Sequence, residues 1–288
     1  MKPTIIYFFV ILFPSSLLAQ EIIQIPYVEA PENFKWNKPE RTEFWEEYNV
    51  TVLANVSVPR LLFYKPNTDK ANGSAVIICP GGGLHGLNVE GEGYAIAEWL
   101  AKNGIAAFVL IYRLIPTRED ALKEFREKEA KGTRQKEAGS FIPLAIADGV
   151  SAIDYLRDNS SSLAIEKGRI GIIGFSSGGA VAMGSVFQAS ATAKPNFVAP
   201  IYSSLEPFKD LGIPDDAPPL FVCAASDDSF EKVQASMDIY HRWLTGGYSA
   251  EIHLYTKGGH GFGYQKNQTP LNTWFDTFGD WLTAIGWL

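Results

Sequence analysis

From about Ser74 to the C-terminus, short unbroken apolar runs alternate with stretches in which apolar residues recur every three or four positions. The runs Ala75–Cys79, Ile105–Tyr112, Ile170–Gly174, Phe197–Tyr202, Leu220–Ala225 and Ala250–Tyr255 read as strands. Their continuous apolar character suits a parallel sheet covered on both faces. Helices are predicted between them at Gly93–Lys102, Pro143–Asp158 and Phe230–Leu244. Within Pro143–Asp158, Leu144, Ile146, Val150, Ile153 and Leu156 fall at broadly helical spacing. A last helix carries Trp274, Phe278, Trp281, Leu282 and Ile285, a stripe of helical period that predicts core packing. Alternation of this kind defines an α/β fold with helices on both sheet faces.

Two segments break the rhythm. Residues 116–140 are charged and predict an exposed helix in a solvated connection, with a lid over the functional site as the alternative. Residues 20–60 hold Phe34, Trp36, Phe44, Trp45 and Tyr48, which are expected to pack on the body rather than offer stacking rings to a sugar. There are no repeats and no low-complexity linker, so 20–288 reads as one domain with an N-terminal extension (20–60) and a charged insertion (116–140).

Residues 1–19 have the form of an export signal: Lys2, an apolar stretch through Leu18, and the small residue Ala19. The strongly apolar part, Ile5 to Phe13, ends at Pro14-Ser15-Ser16 and is shorter than the ~20 residues of a membrane span. The expectation is an exported protein with no stable membrane span once the signal is removed. A net charge of -7 argues against nucleic acid as a partner. The two cysteines, Cys79 and Cys223, sit in apolar strands and read as buried small hydrophobes. Neither has a partner at metal-ligand spacing, so no metal and no cofactor is expected.

The chemistry gathers around Gly174-Phe175-Ser176-Ser177-Gly178, which follows the strand Ile170–Gly174 and precedes a small-residue helix. Glycines flanking a serine allow a sharp strand-to-helix turn that exposes the hydroxyl, as in a nucleophile elbow. A serine hydroxyl needs a base to take its proton and a carboxylate to orient that base. Of four histidines, His241 falls in a helix and His253 in a strand, whereas His260 lies in the glycine-rich loop Lys257-Gly258-Gly259-His260-Gly261 and is the expected base. After the strand Leu220–Ala225, either Asp227 or Asp228 could supply the carboxylate; the economical assignment makes Asp227 the acid and Asp228 a turn or helix cap. Cys79-Pro80-Gly81-Gly82-Gly83-Leu84-His85 can present backbone N–H groups to an oxyanion, with the N–H of Ser177 as the second expected donor. No Gly-Lys-Ser/Thr follows the glycines, which excludes a P-loop.

At these residues the chain resembles the α/β-hydrolase superfamily, and more narrowly its acetyl-xylan and feruloyl esterase-like (xylanase-related) branch. Further matching stretches are Glu92-Gly93 through Ala97-Glu98-Trp99-Leu100, Gly104-Ile105-Ala106 and Tyr112-Arg113-Leu114, and the similarity spans roughly residues 55–288. It implies a mostly parallel, twisted sheet of about eight strands and an exported serine esterase that removes acetyl or other small acyl groups from plant-type glycans. It also implies nucleophile Ser176, base His260, acid Asp227, and donors among Gly82, Gly83 and Ser177. Ser177 stands where the branch usually has alanine, and His85 where an aromatic often follows the glycines, so His85 is a candidate contact for the acyl or sugar group, with a solvated loop histidine as the alternative. A glycoside hydrolase, which needs two facing carboxylates, and a catalytically silent carbohydrate-binding protein are the alternatives.

Overall fold

The computed structural model describes residues 20–190, 193–204, 206–230, 232–264 and 273–288; the expected signal at 1–19 lies outside them. In chain order the strands are β1 (Gln20–Gln24), β2 (Arg41–Trp45), β3 (Val50–Ala54), β4 (Arg60–Tyr64), β5 (Ala75–Cys79) and β6 (Gly86–Leu87). They continue with β7 (Ala106–Ile111), β8 (Ile170–Phe175), β9 (Val198–Ile201), β10 (Leu220–Ala225) and β11 (Ala250–Tyr255). Eight form one sheet in the order β1-β4-β7-β5-β8-β9-β10-β11, and β2-β3-β6 form a second, small one. Strand β4 runs against its two neighbours, and from β7 to β11 every pairing is parallel. Strands β5, β7, β8 and β10 are buried at every position, as their uniform apolar sequences require. The sheet edge β11 is only partly buried.

Helices α1 (Ala95–Lys102), α2 (Ala121–Ala130), α3 (Arg134–Asp158), α4 (Ser160–Leu163), α5 (Ser177–Gln188), α6 (Lys232–Thr245) and α7 (Trp274–Ala284) surround the sheet. A wide helical turn, Glu90–Tyr94, leads into α1. The apolar stripe of α7 is buried, with Trp274, Phe278, Trp281 and Leu282 inside. Helix α3 departs from expectation by starting at Arg134 and running through Pro143. An internal proline forfeits one helical hydrogen bond and crowds the preceding turn. Burial of Phe141, Ile142 and Leu144 around it carries the helix across that break.

The charged insertion holds the expected helix, partly exposed, but it is more than a solvated connection. It folds as α2 and the first turns of α3, and Phe125 of α2 is buried. Asp120 caps α2 by accepting from the Lys123 N–H at 2.8 Å. The extension also packs: Phe34 meets Phe141 edge-on at 4.9 Å, and the Trp36 indole donates to the Leu114 carbonyl at 3.0 Å. Trp45 is buried in the small sheet, whereas Phe44 projects outward, 58% exposed, against the expectation. Alternation along β2 puts those two neighbours on opposite faces.

Arg113, just past β7, binds both carboxylate oxygens of Asp148 on α3, with Nε 3.0 Å from each. Its Nη1 donates to the Val28 carbonyl at 2.6 Å. This buried pair ties sheet, α3 and N-terminal extension together, and each partner is hydrogen-bonded as burial of charge demands. Cys79 and Cys223 are buried free thiols on β5 and β10, with two strands between them. Burial pushes both thiols up, consistent with packing residues.

Candidate active site

The parallel strands end on one side of the sheet, where binding residues collect in folds of this type. Strand β8 delivers Ser176 there through a very tight turn. Its backbone is left-handed, φ 50° and ψ −115°. A Cβ at Gly174 would lie 2.2 Å from the Gly178 carbonyl oxygen, and one at Gly178 would lie 2.1 Å from the Cys79 carbonyl oxygen. Only glycine fits either position. The Ser176 N–H donates to the Ile201 carbonyl at 3.0 Å, and Ser203 Oγ donates to the Ser176 carbonyl at 2.8 Å, so the strained turn is held from the β9 side.

Ser176 Oγ lies 2.8 Å from His260 Nε2, and His260 Nδ1 lies 2.8 Å from Asp228 Oδ2. An ionised carboxylate only accepts, so Nδ1 carries the proton and Nε2 is free to take one from the serine hydroxyl. Asp228 is buried, and its other oxygen accepts the Phe230 N–H at 2.7 Å. The carboxylate beside His260 is thus Asp228, not the expected Asp227. Asp227 Oδ1 instead accepts the N–H groups of Gly258 and Gly259 at 2.8 and 2.7 Å. The Gly259 N–H foremost holds the Asp227 carboxyl below its ordinary range. Asp228 keeps the expected turn contact, through Phe230, and touches the ring as well, whereas Asp227 shapes the loop that carries His260.

The glycine loop after β5 faces the elbow. Successive positive φ values at Gly82, Gly83 and Leu84 curl it back on itself. Among the described residues, the N–H groups of Gly82, Gly83 and Ser177 have no hydrogen-bond partner, and all three residues line the cleft with Ser176. Ser177 Oγ accepts from the Leu84 N–H at 3.4 Å and lies 3.5 Å from the Tyr112 hydroxyl, so this serine links elbow and glycine loop where alanine could not. His85 is placed elsewhere than expected. It is fully buried behind the loop, with Nδ1 3.0 Å from the Gly83 carbonyl and Nε2 3.3 Å from Lys128 Nζ. The curl at Gly82–Leu84 turns it away from the cleft.

That cleft has a volume of about 950 Å³. The insertion and the extension form one wall, through Phe125, Arg134, Trp45 and Tyr48, and Phe230, Lys232 and Ala235 stand on the side of α6. The 116–140 segment is therefore part of the site itself. No cluster of His, Cys, Asp or Glu among the described residues could hold a metal ion.

A profile of the Dienelactone hydrolase family matches residues 62–277, most of the chain. The chain belongs to that family. This dienelactone hydrolase family member is 24% identical over 254 residues to an acetylxylan esterase of Xylanibacter ruminicola, a match that covers 75% of this chain and 47% of the relative. It therefore spans about half the length of that curated relative. Among solved structures, an acetyl ester-xyloside bifunctional hydrolase from Caldicellulosiruptor lactoaceticus superposes with a TM-score of 0.66 at 21% identity, covering 95% of this chain and 100% of the other. The esterase Est2 of Thermogutta terrifontis gives 0.61 at 18% identity, covering 84% and 95%. These likenesses establish the α/β-hydrolase fold.

One residue of this family member escaped the sequence reading as a site component. Glu92 is buried beneath the cleft; Oε2 accepts the Gly81 N–H at 2.6 Å and Oε1 accepts the Tyr202 hydroxyl at 2.7 Å. The same hydroxyl accepts the Gly263 N–H at 3.1 Å, and the Tyr202 ring packs edge-on against His260 at 5.1 Å. A single carboxyl therefore joins the glycine loop, through Tyr202, to the loop that carries His260. The Glu92-Gly93 pair matched the resemblance, but nothing local in it signals a link to residues 110 positions away.

Two outcomes follow from this geometry. Asp228→Asn should lower kcat/KM for p-nitrophenyl acetate by about 10³–10⁴-fold, because the amide no longer holds the imidazole in its working tautomer. Asp227→Asn, which weakens loop hydrogen bonds only, should cost no more than about tenfold. The reverse ranking would restore Asp227 as the partner of His260. Burial pushes the Glu92 carboxyl above its ordinary value of 4.5, against the hydrogen bonds from Tyr202 and Gly81. The folded state then keeps a proton that the unfolded chain releases, so this group's stabilising share is present below about pH 4.5 and is lost as pH rises. Glu92→Gln lacks that slope. Its Tm relative to the unsubstituted protein should rise as pH increases above about 4.5, and a constant difference would contradict the buried-acid assignment.

Proposed function

We propose that this protein is an exported serine esterase that removes acetyl or other small acyl groups from plant-type oligosaccharides or polysaccharides. The observation that carries the reading is the hydrogen-bonded series Ser176–His260–Asp228, opening into a cleft that Gly82, Gly83 and Ser177 also line. His260 Nε2 takes the Ser176 proton as Oγ attacks the ester carbonyl, and Asp228 stabilises the imidazolium that forms. The developing oxyanion draws on the N–H groups of Gly82, Gly83 and Ser177, which are pre-set and need no reorganisation. Protonated His260 then passes the proton to the departing sugar alcohol. Water, activated by the same imidazole, cleaves the acyl-enzyme and returns the serine.

Acyl-carbohydrate specificity is supported by the likeness to an acetylxylan esterase and by a cleft far larger than an acetyl group needs. Export is supported by the form of residues 1–19, and no described helix is long and apolar enough to cross a membrane. Glycosidic chemistry finds less support. Of the two glutamates in the cleft wall, Glu92 has both oxygens occupied by Gly81 and Tyr202, and Glu206 pairs with Lys209 at 2.9 Å. The test is acetate release from acetylated xylo-oligosaccharides, with reducing ends counted in parallel. Acetate should appear with no new reducing ends, and Ser176→Ala should reduce the rate by at least about 10³-fold. New reducing ends without acetate, or full activity in the alanine variant, would overturn the proposal.

A further inference from the structure

We propose that Lys232 and Arg134 form a subsite for a carboxylate carried by the substrate. Lys232 opens α6, Arg134 opens α3, and both line the cleft that holds Ser176 and His260. Lys232 has neither a hydrogen bond nor an ion pair with another described residue. Arg134 reaches Glu129 only at 3.6 Å, and Glu129 is already held more closely by Arg126. Its guanidinium lies 5.1 Å from the Phe125 ring centroid, so Arg134 is braced against the cleft wall.

The described acids that act on Lys232 are engaged elsewhere. Asp228 is bound to His260 and to the Phe230 N–H, and Glu206 pairs with Lys209. Two cations are thus left under-compensated in a partly dehydrated cleft of a protein whose net charge is -7. Burial pushes the Lys232 ammonium down and Arg134 pushes it the same way, opposed by Asp228 and Glu206. An anion entering between the two cations relieves this. A planar carboxylate suits the Arg134 fork, and the Lys232 ammonium acts as a point charge beside it.

The carboxylate has two chemical sources: a uronic acid unit of the glycan, or the free end of a dicarboxylic half-ester. Tyr48, partly exposed, lines the same cleft and offers a ring to a sugar face, which favours the glycan. The proposal rests on the esterase reading only for where the ester lies.

The test is calorimetric binding to the Ser176→Ala protein at low salt, with two matched ligand pairs. One pair is an acetylated xylo-oligosaccharide with and without a glucuronic acid branch, and the other is monomethyl succinate against methyl butyrate. The charged member of one pair should bind about tenfold tighter, about 1.4 kcal/mol. A preference in the first pair places the carboxylate on the glycan, and one in the second places it on the acyl group. The preference should shrink at about 0.5 M NaCl. It should fall in Lys232→Gln and in Arg134→Gln, and persist in Lys232→Arg. Equal affinity within both pairs, binding of neither charged ligand, or a preference that survives the double Gln variant would overturn the subsite. Hydrolysis assays on the unsubstituted protein separate the two claims. Turnover of neutral esters without a charge preference sinks the subsite alone, and a binding preference without turnover sinks the esterase reading alone.

Discussion

The close approach of three backbones at the Ser176 turn is the constraint on which the rest of this molecule depends. Oxygens of Gly178 and Cys79 occupy the space that side chains at Gly174 and Gly178 would need, within 2.2 and 2.1 Å of an added Cβ. This closeness lets β8 turn into α5 within one residue, at a left-handed φ that costs of order 1–3 kcal/mol at a non-glycine position. The surroundings sustain that cost: the carbonyl of Ile201 and the hydroxyl of Ser203 bind the Ser176 backbone from β9. Because β5 lies beside β8, the same contact sets the glycine loop against the elbow. Ser176 and the glycine loop are therefore positioned by sheet packing, before the more distant loops are considered.

His260 and Asp228 arrive differently. They come from β10 and β11, at the far edge of the sheet, so their loops must reach back across β9. Such loops need internal bracing to hold a ring at hydrogen-bond distance. Asp227 supplies it on one side, through the N–H groups of Gly258 and Gly259. Tyr202 and Glu92 supply it on the other, through Gly263 and the face of the imidazole. Glu92 also grips Gly81, so one buried carboxyl, through Tyr202, links the glycine loop to the loop of His260. The cleft wall built by α2, α3 and the small sheet then shapes the space above, anchored by the Arg113–Asp148 pair.

Much of this was legible from local pattern. The buried strands announced themselves as unbroken apolar runs, because β5, β7, β8 and β10 are covered on both faces. Ser176 and His260 could be singled out because glycines flank them and strands precede them. What stayed hidden depended on long-range contact. Asp227 and Asp228 are adjacent and chemically identical, and only the direction in which the chain leaves β10 separates them. His85 looked like a loop residue, but the curl at Gly82–Leu84 buries it. The charge of 116–140 read as solvation, yet ion pairs such as Lys128–Glu137 and Arg126–Glu129 tie part of it down, and Phe125 among them is buried at the cleft wall. Pro143 suggested a helix start, and burial on both sides of it overruled that local preference.

The central claim is that Ser176 is activated by His260 within a pre-set donor site. The most direct measurement is covalent labelling with a fluorophosphonate probe, followed by peptide mass spectrometry. The account predicts a single adduct on Ser176 that forms within minutes and falls by orders of magnitude in a His260→Ala variant that retains the unsubstituted protein's circular dichroism. An adduct on any other serine, or undiminished labelling of Ser176 without the imidazole, would contradict it.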